Sequence, residues 1–127
     1  MATRTRTGVG VVVRSADGLV LVGRRRAEPG APLAIPGGRL DPEETIEDCG
    51  VRELAEETGL VLGAADVRTF ACVLVGDWLV AGVEGRLTGA AAPRELEPDK
   101  FGDFAWIDPA AAPAGLFPAT AALLARL

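Results

Sequence analysis

The sequence predicts an α/β sandwich, with a mixed β-sheet, a long central helix and a second helix at the C-terminus. Three observations carry this expectation. Short β-branched runs recur along the chain, most of them bounded by Gly, Pro or Asp. One acidic stretch, ending at Gly59, has the spacing and the end signals of a helix. The chain has 127 residues, the length of one ordinary domain, and no repeat, linker or composition break divides it, so residues 1–127 read as a single domain.

Each element has a local reason. Gly8–Arg14 (GVGVVVR) and Leu19–Val22 are apolar runs joined through Asp17-Gly18, a hairpin signal. Arg26–Pro32 is a loop, and Leu33-Ala34-Ile35 is a brief strand stopped by Pro36-Gly37-Gly38. Asp41 and Pro42 open the acidic segment, whose helix of about four turns ends at Gly59. Val67–Val75 and Trp78–Leu87 read as strands turned at Gly76-Asp77, followed by a loop over Thr88–Pro98. Phe101–Ile107 alternates and predicts a last strand, with Trp106 in the core. Asp108-Pro109 opens a short helical turn, and Pro118–Leu127 a C-terminal helix.

Composition excludes several classes of chemistry. There is no His, so the commonest acid–base group and metal ligand is missing, and such work falls to carboxylates. Carboxylates suit Mg²⁺, Mn²⁺ or Ca²⁺ rather than zinc. A net charge of −5 without a Lys/Arg-dense tract argues against a duplex nucleic-acid partner. Cys49 and Cys72 match no CxxC pattern and read as two free buried thiols. The stretch Thr3–Thr7 is polar, no secretory leader is read there, and no apolar run is long enough to span a bilayer. A soluble cytoplasmic protein with no membrane partner is the expectation.

The helix holds the most informative pattern. At about 100° per residue, Glu53, Glu56 and Glu57 share one face, at offsets i, i+3 and i+4. Further back along the axis that face carries Ile46, Cys49 and Gly50. An acidic helix face is usually solvated surface. Here its upstream end is small and apolar, as a buried face would be. Three like charges at this spacing repel by roughly a few tenths of a kcal/mol per pair, a cost that a divalent cation removes. Arg52 lies among these acids as an internal counter-ion, suited to a salt bridge between loop and helix.

Gly38, Glu44 and the run Arg52-Glu53-Leu54-Ala55-Glu56-Glu57-Thr58-Gly59-Leu60 together resemble an intact Nudix box over residues 38–60. Seven fixed positions coincide by chance on the order of once in ten million, so the motif is specific. Its context is similar to MutT-like members, with a hairpin and Pro36-Gly37-Gly38 before it. After it come an acidic loop at Leu96–Lys100 and a Trp-bearing strand at Phe104–Ile107. Leu33 departs from the aromatic that many relatives carry there.

The resemblance implies a Nudix-type α/β/α sandwich and a Mg²⁺- or Mn²⁺-dependent pyrophosphohydrolase. Its substrate would be a small nucleotide, either a nucleoside triphosphate or a modified one, cut to the monophosphate and pyrophosphate. Alternatives are an ADP-ribose or nucleotide-sugar pyrophosphatase and a non-catalytic ligand-sensing domain. It implies Glu53, Glu56 and Glu57 as metal ligands and catalytic groups, joined by the Gly37 carbonyl, with Glu97 either a further ligand or base or an exposed loop acid. Glu44 and Arg52 support that set. Arg24, Arg25 or Arg26 would meet distal phosphates, but side chains alternate along a strand, so not all three can. Arg24, Arg26 and the backbone of Gly38 are the substrate contacts expected. A homodimer fits the type, and the sequence does not decide it.

Overall fold

The computed structural model describes residues 6–127, so the polar Thr3–Thr7 stretch lies largely outside the described residues. Strand β1 (Arg6–Arg14) is the centre of the molecule. Its Val9 to Val13 are buried without a break, as expected of a strand covered on both faces. It pairs in parallel with β6 (Trp78–Arg86), which forms an antiparallel hairpin with β5 (Val67–Val75).

On its other edge β1 meets two partners. Strand β2 (Val20–Arg25) pairs with it only at Arg14↔Val20, then leaves to pair with β7 (Phe101–Ile107) and with β3 (Leu33–Ala34). The Asp17-Gly18 turn forms, with Gly18 at φ 80°, but the expected hairpin does not continue. Its place on β1 is taken by β4 (Gly37–Arg39), paired with Gly8, Val9 and Gly10, and by Val11 N–H donating to Pro36 O at 2.8 Å. The Pro36-Gly37-Gly38 segment is therefore strand as well as turn. Gly37 must be glycine, because a Cβ there would strike the Val9 carbonyl.

The two helices cover opposite faces of this sheet. Helix α1 (Ile46–Thr58) closes a core of Val9, Val11, Val13, Leu21, Cys49, Leu54, Leu60 and Val83, against which Trp106 packs half-buried. Helix α2 (Pro118–Leu124) brings Leu123 and Leu124 onto Val12, Val20, Val22, Ile35, Val73 and Val80. Among the described residues no helix is long and apolar enough to cross a membrane.

Helix α1 begins at Ile46, later than Asp41. The Thr45 side chain accepts from Asp48 N–H as a cap, and Glu43 at φ 68° ends any helical path before it. Gly59, left-handed at φ 74°, closes the other end. Cys72 is exposed, against expectation, because the register of β5 shifts between Thr69 and Ala71 and turns that side chain outward.

Gly50 is where α1 comes closest to the sheet, and a Cβ there would lie 2.6 Å from Val83 Cγ2. Valine is stiff at χ1, so the helix must move instead. Gly50→Ala gains roughly 1 kcal/mol of helix propensity but overpacks by about 1–3 kcal/mol. The net expectation is a loss of up to about 2 kcal/mol and a melting point lower by up to about 6–12 °C; a thermal scan showing a rise would contradict this packing.

Candidate active site

Burial of Cys49, Gly50, Leu54 and Thr58 fixes the rotation of α1. Glu53 and Glu57 then fall at the rim of the buried face, beside β4, and Glu56 points further out. One oxygen of Glu57 accepts from Gly37 N–H at 2.8 Å. Gly38 lies against the Glu53 carboxylate, which occupies the space that a Cβ on residue 38 would fill. The backbone of β4 and the side chains of α1 thus form one surface.

Arg52 braces this surface from behind. Its Nε donates to Glu44 Oε2 at 2.7 Å, its Nη1 to Glu53 Oε1 at 2.9 Å and its Nη2 to the Arg39 carbonyl at 3.1 Å. Asp41 and Glu56 lie within ion-pair distance of it, at 3.3 and 3.4 Å. The guanidinium holds the Glu44 carboxyl down to about 2. Arg52 and Glu44 therefore tie the loop before the helix to its acidic face. Cys49, under the same arginine, is pushed up to about 12 by burial and is inert at neutral pH.

The carboxyls facing the cleft behave in the opposite way. Burial pushes Glu57 up to about 8, and the Glu53 and Glu97 charges add to this against the opposing Gly37 N–H. Burial also raises Glu53, although Arg52 works against it. Two partly buried carboxylates that disfavour each other's ionisation are an electrostatic cost in the folded chain.

The three carboxyls Glu53, Glu57 and Glu97 line a cleft of about 710 Å³. Its walls include Gly37, Gly38, Glu53, Glu56, Glu57 and Glu97, which the sequence had marked. Arg25, Arg39 and Lys100 supply positive charge, and Trp78 and Phe117 supply aromatic surface. Arg25 stacks over the Phe117 ring at 4.0 Å and Arg39 over Trp78 at 5.5 Å.

Arg24 and Arg26 are not brought to this wall. Arg24 donates to the Ala31 carbonyl at 3.2 Å, and Arg26 is paired with Glu95 and Asp103. The pairing of β2 with β7 is irregular between Val22 and Arg24, and of the three arginines it leaves Arg25 to line the cleft. Strand alternation limited the choice but could not make it without that irregularity. Arg39, Lys100 and Phe117 carried no signal in the sequence, because their place depends on long-range pairing.

The NUDIX domain family profile matches residues 4–127. The chain belongs to the Nudix family. Its Nudix box spans β4, the capping loop, α1 and the Gly59 cap, which is the part of the cleft described above.

Among curated relatives, the RNA pyrophosphohydrolase of Gluconacetobacter diazotrophicus is 35% identical over 96 residues, covering 68% of this chain and 52% of its own length. The putative 8-oxo-dGTP diphosphatase of Bacillus subtilis is 42% identical over 52 residues, covering 41% of this chain and 34% of its own. The chain spans about half, or less, of the length of the curated relatives it matches. Among solved structures, a MutT NUDIX hydrolase from Burkholderia pseudomallei aligns with a TM-score of 0.85 at 25% identity, covering 98% of this chain and 99% of the other. It shares the α/β/α sandwich.

Nudix hydrolases generally use divalent metals, and the residues here can be tested for that. Among the described residues no three acidic or thiol groups are drawn into a ready-made metal cage. Glu53 and Glu56 lean on Arg52, and Glu57 on Gly37. The donor set nonetheless fits a hard cation, since every donor is oxygen and the carboxyls at the wall carry a mutual repulsion that such an ion relieves.

Proposed function

We propose that this chain is a Mg²⁺- or Mn²⁺-dependent pyrophosphohydrolase of nucleoside triphosphates, canonical or modified, releasing a nucleoside monophosphate and pyrophosphate. The observation that carries this reading is the cleft itself. It brings Glu53, Glu56, Glu57 and Glu97 together with a backbone bare of side chains, at Gly37 and Gly38, and includes Arg25 and Lys100 in the same lining. A polyphosphate is an anion, and carboxylates can meet it only with cations between them.

Glu53, Glu56 and Glu57 would hold the metal together with the Gly37 carbonyl, and Glu97 would join from the later loop. When bound, the ion neutralises phosphate charge and lowers the pKa of water. Arg25 and Lys100 contact the remaining phosphate oxygens. Arg52 stays with the acids behind the wall and keeps Glu53 in place.

Water attacks an internal phosphorus, and the bond to the departing pyrophosphate breaks. Glu57 is the better base of the two at the wall, because Glu53 is ion-paired to Arg52 and Glu57 takes only an amide N–H. One Glu57 carboxylate oxygen takes the proton of the attacking water. The setting that fits this chemistry is the cytoplasm, where nucleotides and Mg²⁺ abound.

The likeness to RNA pyrophosphohydrolases favours a second reading, in which the triphosphate is the 5′ end of an RNA. The net charge of −5 works against an extended RNA contact, so the free nucleotide comes first. The test is a panel of canonical, oxidised and methylated nucleoside triphosphates, ADP-ribose and a 5′-triphosphorylated oligoribonucleotide, assayed with Mg²⁺ for pyrophosphate and phosphate. Pyrophosphate from the free nucleotides is expected. Turnover of ADP-ribose alone, or of the RNA alone, would replace this reading.

A further inference from the structure

Arg26 is a candidate phosphate contact by sequence, yet every partner it has belongs to the strand–loop unit that carries Glu97. We infer that Arg26 is a positioning residue that clamps this loop and so sets Glu97 at the wall of the cleft. The inference rests on the reading of Glu97 as part of the site.

Glu97 sits in a turn whose carbonyl accepts from Lys100 N–H at 2.9 Å and Phe101 N–H at 3.0 Å. Arg26 holds this turn from both sides. Its guanidinium grips Glu95 through two bonds, at 2.8 and 3.1 Å, and also donates to the Pro98 carbonyl at 2.6 Å. Its own N–H donates to the Lys100 carbonyl at 2.9 Å. The gripped residues lie two before, one after and three after Glu97.

The clamp continues into β7. Asp103 is a second carboxylate partner for Arg26, at 3.2 Å, and its N–H donates to Glu95 at 2.9 Å. Gly102 lies under the clamp, where a Cβ would strike both Glu95 and Arg26. Asp103 makes this contact from the left-handed region, at φ 51°, where residues other than glycine are uncommon. At the far end of the loop, Arg94 N–H donates to Thr58 O at 2.8 Å, at the last turn of α1.

The function of so many ties is placement more than stability. Exposed ion pairs contribute little to folding, whereas a planar fork on a carboxylate fixes direction. What it fixes is the approach of Glu97, which shares the cleft wall with Glu53 and Glu57 and acts on both electrostatically. A displacement of about 1 Å at a reacting centre costs on the order of 100-fold in rate.

The experiment is a double-mutant cycle between Arg26→Ala and Glu97→Gln, read by kcat and KM for nucleoside triphosphate hydrolysis and by Mn²⁺ titration of the protein alone. Arg26→Ala is expected to lower kcat by about 10–100-fold with KM changed less than about threefold. In the Glu97→Gln background the same change should cost less than about twofold. Mn²⁺ affinity should follow the same non-additive pattern, and Arg26→Lys, which keeps the charge without the fork, should fall between. A rise in KM at constant kcat would make Arg26 a phosphate contact and overturn the inference. So would a full loss in the Glu97→Gln background, or an unchanged kcat. If Arg26→Ala fails to fold, Glu95→Gln takes its place, with the same expectations. If no nucleotide turned over, the reaction proposed above would fail, and the Mn²⁺ cycle would still decide the clamp.

Discussion

Glu57→Gln is expected to lower kcat by about 10³-fold or more while making the metal-free protein more stable at pH 8. The two effects have one origin. In the proposed reaction Glu57 would take the proton of the attacking water and supply an oxygen to the metal, so an amide in its place would remove both. The same carboxyl is held by burial at about 8, well above the ordinary 4.5.

The sign follows from which state binds more protons. Between pH 4.5 and 8 the folded chain keeps a proton on Glu57 that the unfolded chain gives up. Stability of the metal-free protein therefore falls as pH rises through that window, and is fully present below it. Discounted for the solvent that the cleft admits, the fall is on the order of 2–3 kcal/mol, or about 6–18 °C in melting temperature. Glu57→Gln should remove most of this pH dependence, and Mg²⁺ should restore the wild type at pH 8 but not the variant. Melting curves at pH 5 and pH 8, in EDTA and in Mg²⁺, measure all of this. A variant less stable than wild type at both pH values would mean that Glu57 is a structural group.

Gly38→Ala is the second large effect. A methyl group on residue 38 would land on the Glu53 carboxylate, which is also held by Arg52 at 2.9 Å. Either β4 withdraws from α1 or Glu53 swings out of the cleft. The first breaks the pairing of Val9 with Gly38, and the second removes the carboxylate proposed as a metal ligand. The expected loss is about 10²–10³-fold in kcat, with a modest drop in melting temperature. Full activity in Gly38→Ala would show that Glu53 works from some other position.

The carboxylate helix was readable because its signals are local. Glu53, Glu56 and Glu57 share a face by spacing alone, and Gly59 is a terminal cap. The start at Ile46 was not, because Thr45 as a cap competes with Asp41 and Pro42, and only the left-handed Glu43 decides between them. The hairpin signal at Asp17-Gly18 was real as a turn and misleading as a pairing. Strand β4 had no propensity of its own, being Gly37-Gly38-Arg39, and exists because β1 offers it an edge. Which arginine enters the cleft depended on the pairing of β2 with β7, distant in the chain. The Arg26 clamp joins residues 26, 95 and 103, and no local pattern announces it.

The central claim is that the carboxylate face of α1 works through a divalent cation on a phosphate anhydride. Pyrophosphate release from a nucleoside triphosphate, titrated with Mg²⁺ for the wild type and for Glu56→Gln and Glu57→Gln variants shown to be folded, tests it most directly. The account predicts no turnover in EDTA, saturable turnover in Mg²⁺ for the wild type, and loss in both variants. Undiminished turnover in EDTA, or in both folded variants, would contradict it.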